Sequence, residues 1–155
     1  MRHLAVAAVF CCATLYGQHN HGYFFVAPGG ATSRGSTSGT IQLGGGGELG
    51  LNRWLGVGAE LGALGPTSDF TSGVVGVLSA NAYVHFAGTG KFDPYATGGY
   101  SLMFRSGHSN LANFGIGLDY WLRERLGLML EFRDHVTTSS ERVNFWGFRV
   151  GISFR

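Results

Sequence analysis

Residues 143–155 read V-N-F-W-G-F-R-V-G-I-S-F-R, and polarity alternates along them. Successive side chains of a β-strand point to opposite faces. One face is therefore Trp146, Phe148, Val150, Ile152 and Phe154, and the other is Phe145, Gly147, Arg149, Gly151 and Ser153. The first face carries aromatic rings at both ends and aliphatics between them, as a strand crossing a bilayer does with rings at the two interfaces. Such a strand cannot stand alone in lipid. Its N–H and C=O groups find no water there, so the sheet that holds it must close on itself.

The upstream residues supply seven further alternating segments, at 22–27, 40–51, 54–64, 73–86, 95–104, 111–122 and 126–136. The segment 95–104 alternates least cleanly. Turn residues separate the segments at 28–39, 52–53, 65–72, 88–93, 105–110, 123–125 and 137–142. Gly, Pro, Asn, Asp and Ser dominate these breaks, as turns require. Most segments are about as long as the roughly 9–11 residues that a tilted transmembrane strand needs. No stretch shows sustained helical periodicity. The fold class predicted is all-β: an eight-stranded antiparallel up-and-down transmembrane barrel. An even strand number puts both ends of the chain, and the turns at 52–53, 88–93 and 123–125, on the periplasmic side.

Period alone does not say which face is inside, and a soluble eight-stranded barrel such as a lipocalin is apolar inside and polar outside. Scarcity of charge decides. Charged residues are only 13% of the chain, and Lys91 is the single lysine. A polar face made of glycines with about one charge per strand is too poor to solubilise an exterior. The formal charge of +2 is no basic footprint for nucleic acid.

The start, Met1-Arg2-His3 followed by apolar and small residues to Ala13, has the form of a secretory signal peptide. It is too short to span a membrane as a helix, which takes about 20 residues. The expected organisation is a signal peptide at 1–17 and a barrel at 18–155. Cys11 and Cys12 both fall in the leader, so the exported chain would hold no disulfide. Phe10 before Cys11 does not suit a lipoprotein signal.

Three runs carry a resemblance to a known family: 93–100 (D-P-Y-A-T-G-G-Y), 113–122 (N-F-G-I-G-L-D-Y-W-L) and 130–135 (L-E-F-R-D-H). They resemble the small outer-membrane β-barrel family that includes the OmpA membrane domain and OmpX. The resemblance implies a Gram-negative bacterial outer membrane. It also implies outer-membrane lipid, lipopolysaccharide and the barrel-assembly machinery as partners. It implies no single activity.

Extending the parity assigns Glu48, Glu60, Asp119, Glu131, Arg133 and Arg149 to the lumen, clustered near mid-height. It assigns Phe86, Tyr120, Phe132, Trp146, Phe148 and Phe154 to a lipid-facing aromatic belt. Eight strands leave an interior just wide enough for side chains to fill, so an ion-pair network is expected there. The function expected is a monomeric structural barrel that maintains the envelope. A narrow pore for water or small ions is one alternative, and a small adhesion barrel acting through the loop 28–39 is another. A third is a lipid A deacylase, since those barrels use His-x-Ser-Asn and a glutamate; here His108, Ser109 and Asn110 are contiguous, and adjacent strand residues diverge. No catalytic residue, metal or cofactor is expected. His19 and His21 read as a disordered polar terminus rather than a metal pair, and the run 44–47 precedes no helix, so it is no phosphate loop.

Overall fold

The computed structural model describes residues 20–87, 90–138 and 143–155. The expected leader, its two cysteines and His19 lie outside these residues. Eight strands close into one barrel in sequence order: β1 (His21–Ser33), β2 (Ser36–Gly50), β3 (Leu55–Pro66), β4 (Val75–His85), β5 (Phe92–Phe104), β6 (His108–Arg123), β7 (Leu126–Thr137) and β8 (Val143–Phe154). Every neighbouring pair is antiparallel, including β1 with β8, where Gly22 faces Phe154 and Ser33 faces Val143. The up-and-down order puts the β2–β3, β4–β5 and β6–β7 connections at the same end of the barrel as residues 20 and 155.

The barrel is inside-out relative to a soluble protein. Phe24 and Ile116 project outward with 66% and 67% of their surface exposed, whereas Glu60, Arg133 and Arg149 are buried. Among the described residues no helix is long and apolar enough to cross a membrane, and the strands carry the apolar exterior instead. A short helix, α1 (Phe70–Gly73), follows Asp69 in the β3–β4 connection. Hydrogen bonds from Ser72 and Thr71 to the Asp69 side chain cap it and hold that carboxyl below its ordinary range.

Several sequence expectations are corrected. The loop 28–39 does not exist as a loop, because β1 runs to Ser33 and β2 begins at Ser36. Arg34 (φ 48°) and Gly35 (φ 82°) make a two-residue turn whose two positive φ values suit the twist of paired strands. Thr32 and Thr37 join their hydroxyls across it at 3.0 Å. The Gly, Ser and Thr residues that read as loop are small residues accommodated in a ladder. Likewise β6 begins at His108 and β5 at Phe92, so residues 108–110 and Asp93 lie in strands. Segment 95–104 alternates regularly after all. Tyr95 and Met103 are the large residues that turn inward there, which inverts the hydrophobic signal.

At Gly35 a Cβ would meet nothing within 4 Å, so its backbone angle alone constrains the site. Gly35→Val is expected to destabilise the barrel by about 1–2 kcal/mol, the usual penalty of a left-handed conformation for a residue with a Cβ. Gly35→Asn should be nearly neutral. Urea unfolding in lipid vesicles measures both.

Candidate functional site

The lumen is the one place where the chain concentrates polar chemistry, and it is layered. At mid-height two arginines and two glutamates meet. Arg149 on β8 donates from Nη2 to Glu60 Oε1 at 2.8 Å and from Nη1 to Glu60 Oε2 at 2.9 Å. Arg133 on β7 donates from Nε and Nη2 to the two oxygens of Glu131 at 2.8 and 2.7 Å. Cross contacts of 3.3 Å (Arg149 to Glu131) and 3.4 Å (Arg133 to Glu60) tie the two forks into one neutral quartet. Bidentate pairing is the strongest arrangement the two groups allow. Tyr95 donates to Glu131 at 2.9 Å and Tyr23 to Glu60 at 3.1 Å, while Tyr23 and Tyr83 share a hydrogen bond. The Arg149 guanidinium lies 4.1 Å from the centre of the Phe25 ring.

Glycines make this convergence possible. Glu131 and Arg149 are direct cross-strand partners, but Glu60 must reach them from β3. A Cβ on Gly46 of β2 would collide with the Glu60 side chain and the Tyr23 hydroxyl. The strand beside Glu60 therefore has to be bare.

Nearer the end that holds the chain termini, His85 on β4 sits between two carboxylates. Its Nε2 is 2.8 Å from Glu48 and its Nδ1 is 3.0 Å from Asp93. A ring that carries protons on both nitrogens donates to both carboxylates at once. Glu48 comes from β2 and crosses β3 at Gly56, where any Cβ would strike its carboxylate. Asp119 accepts from Ser153 at 2.7 Å and lies 3.7 Å from His21. Below them the Arg155 guanidinium stacks 3.8 Å from the Trp121 ring.

Toward the opposite end Leu64, Val77, Met103 and Leu111 form an apolar cluster with Val75 and Phe145 against it. Between that cluster and the arginines a small recess, lined in part by Gln42, His135, Gly147 and Arg149, has barely room for one water. His135 Nε2 and Arg149 Nε are buried there with no protein partner.

All six charges assigned to the lumen by parity are buried, but they do not form one cluster. Glu60, Glu131, Arg133 and Arg149 meet at mid-height, whereas Glu48 and Asp119 belong to the layer of His85 and His21. Parity says nothing of height. His21, read as part of a disordered terminus, is instead a buried strand residue beside Asp119 and Trp121. Sequence reasoning missed His85, Asp93 and the three tyrosines as members of the network. Parity could have found His85 and Tyr83, because they alternate with Ala82, Val84 and Phe86 and share a face with Ser79 and Asn81.

The six aromatics assigned to a belt point outward, Tyr120, Phe132 and Trp146 with partial exposure. Phe86, Tyr120 and Phe154 lie toward the end with the chain termini and Trp146 toward the other, whereas Phe132 and Phe148 are paired at mid-height, level with the Glu131–Arg149 pair. Phe24, Trp54, Phe92, Tyr100, Phe104 and Phe114 share that exterior and were overlooked. Ring pairs such as Phe92–Tyr120 at 4.7 Å and Phe132–Phe148 at 5.1 Å bridge adjacent strands. His108 and Ser109, as neighbours in β6, point to opposite sides. No group of three or more metal-ligating side chains converges among the described residues.

Residues 4–155 match the family described as outer membrane protein beta-barrel domain. A comparison with curated proteins finds no match by sequence. Among solved structures, the chain is similar in fold to Neisserial surface protein A, with a TM-score of 0.69 and 12% identity over 88% of this chain and 96% of that one. It is similar to the N-terminal β-barrel domain of Pseudomonas aeruginosa OprF, at a TM-score of 0.59 and 18% identity over 85% and 97%. A de novo designed transmembrane β-barrel matches at 0.57 and 17% over 90% and 97%.

Removing one partner of the mid-height quartet strands its opposite charge. Arg149→Leu leaves Glu60 with the Tyr23 hydroxyl and a 3.4 Å contact from Arg133, and should cost about 3–5 kcal/mol in unfolding free energy. Val150→Arg, one residue along and facing out, should cost roughly 2–4 kcal/mol for a different reason, an arginine placed against lipid. Urea titration in vesicles compares them. A harmless Val150→Arg together with a neutral or stabilising Arg149→Leu would mean that inside and outside are reversed.

Proposed function

The chain belongs to the outer membrane protein β-barrel family, and on that premise we propose that it is a sealed structural barrel that maintains the envelope without conducting. The observation that carries this reading is the mid-height quartet. Arg133 and Arg149 are each 1% exposed, and their glutamate partners are buried with them. Two bidentate pairs locked across a lumen of eight strands leave no water column through that layer. The stacked Arg155–Trp121 pair and the apolar cluster around Leu64 add a barrier on each side.

In this reading the protein is exported through the leader at 1–17 and folded by the barrel-assembly machinery. It resides as a monomer among outer-membrane lipid and lipopolysaccharide, with the β2–β3, β4–β5 and β6–β7 connections in the periplasm. For an adhesion role, residues 28–39 would offer a tight hairpin rather than a loop. A deacylase role has no support from the site, since His108 and Ser109 diverge in β6.

Two measurements test the reading. Reconstituted into planar bilayers, the protein should give no current steps above the lipid baseline. Resolved single-channel steps would overturn it in favour of a pore. Lipid A from cells expressing the protein should keep its acyl chains by mass spectrometry, and loss of a chain that Ser109→Ala restores would establish the enzyme instead.

A further inference from the structure

Among the described residues five buried side-chain polar atoms have no hydrogen-bond partner within the protein, and two of them, His135 Nε2 and Arg149 Nε, line one recess. Buried polar groups are nearly always paired. Two unpaired atoms against one small space therefore point to a ligand that lies between them.

A guanidinium carries five N–H donors. In Arg149, Nη1 reaches Glu60 at 2.9 Å and Glu131 at 3.3 Å, and Nη2 reaches Glu60 at 2.8 Å and Gln42 at 3.3 Å. Those contacts occupy both Nη groups, and Nε–H is the donor left over. Arg149 is 1% exposed and His135 4%, so bulk solvent serves neither. The recess between the quartet and the apolar cluster has room for about one water, and Gln42 and Thr40 add polar side chains to its wall.

We propose that this recess binds a single water molecule, which accepts from Arg149 Nε–H and bridges it to His135 Nε2. Water both donates and accepts, so it pairs with the imidazole nitrogen in either tautomer. A buried water is typically held by about three polar partners, and the guanidinium, the imidazole and the polar wall supply them. A halide only accepts, and it would add an unpaired charge to a layer in which two arginines are already balanced by two glutamates. A metal cation has no place against an N–H donor. The water holds the Arg149 guanidinium from behind while the Nη fork grips Glu60 in front. The Leu64 cluster lies on one side of it and the quartet on the other, so it is an isolated water and not part of a file. The site rests on the lumen geometry alone, whether or not the barrel conducts.

Gly147 provides the test, because it lines the same recess. A Cβ there would meet Ala27 Cβ and the Pro28 carbonyl at 3.4 Å, an ordinary contact, so the backbone accepts alanine. Alanine in place of a strand glycine beside a dry cavity stabilises. Beside a bound water, the same methyl displaces it and strands two buried polar atoms, which destabilises. The full barrel with ¹⁵N-labelled arginine is inserted into lipid nanodiscs, with heat-modifiable gel mobility confirming insertion. Arg149 Nε–H should show a cross-peak to water that has the sign of a dipolar contact in rotating-frame spectra, opposite to that of proton exchange. Gly147→Ala should weaken that cross-peak several-fold and lower the urea midpoint in vesicles. His135→Phe, which keeps a ring and removes Nε2, should also weaken it, and this variant decides the matter if Gly147→Ala does not insert. A wild type without the cross-peak overturns the proposal, as does a Gly147→Ala barrel with a higher midpoint or a His135→Phe barrel with an unchanged cross-peak. An Arg149 Nε–H resonance that moves when chloride is replaced by sulfate means an anion in the recess, and overturns it too.

Discussion

In hydrocarbon a backbone N–H or C=O has no water to turn to, and each group left unpaired costs several kcal/mol. The sheet answers that constraint by pairing β1 with β8, from Gly22 opposite Phe154 to Ser33 opposite Val143. Closure of eight strands then limits the interior to the width of its own side chains. A narrow interior excludes bulk water, so whatever charge enters it must be neutralised there. The Arg133–Glu131 and Arg149–Glu60 forks, and the placement of His85 between Glu48 and Asp93, follow from that limit. The ion pairs are thus a consequence of closure, and the energetics of the lumen cannot be separated from those of the wall.

Glycine is what lets large polar groups share so small a cross-section. The chain carries 27 glycines, and two of them show why. Gly46 leaves room for Glu60 and Tyr23 to meet, and Gly56 lets Glu48 pass beneath β3 to His85 on β4. In both cases a charged group skips a strand, linking elements that share no backbone ladder. A glycine in a strand interior is ordinarily unfavourable. Here the lost strand propensity is offset by hydrogen bonds that would otherwise be impossible.

The lumen is also polarised along its axis. Titratable groups gather toward the end that holds the termini, the neutral quartet occupies the middle, and the far end is apolar around Leu64, Val77, Met103 and Leu111. Outside, aromatic rings sit toward both ends with aliphatic residues such as Leu61, Ile116, Val150 and Ile152 between. The barrel thus presents an apolar band outward and fills its interior with paired polar groups. Its contacts with surroundings are then made by the exterior and the rims.

Much of this was legible in the chain itself, because parity is a local property. Each strand residue points opposite to its neighbours whatever the rest of the protein does, so alternation in 143–154 and 111–122 determined which residues face in and which face out. Low charge and the near absence of lysine determined that the apolar face is the exterior. Height and partnership were decided only by the tertiary structure, because they depend on the register between strands and on how the sheet closes. That is why Glu48 and Asp119 belong to a different layer from Glu60 and Glu131, and why His21 is buried although it begins the first strand. It is also why residues 28–39 form a hairpin. Small polar residues are equally compatible with a loop and with a ladder, and only the presence of β8 and the far side of β2 to pair with chose the ladder.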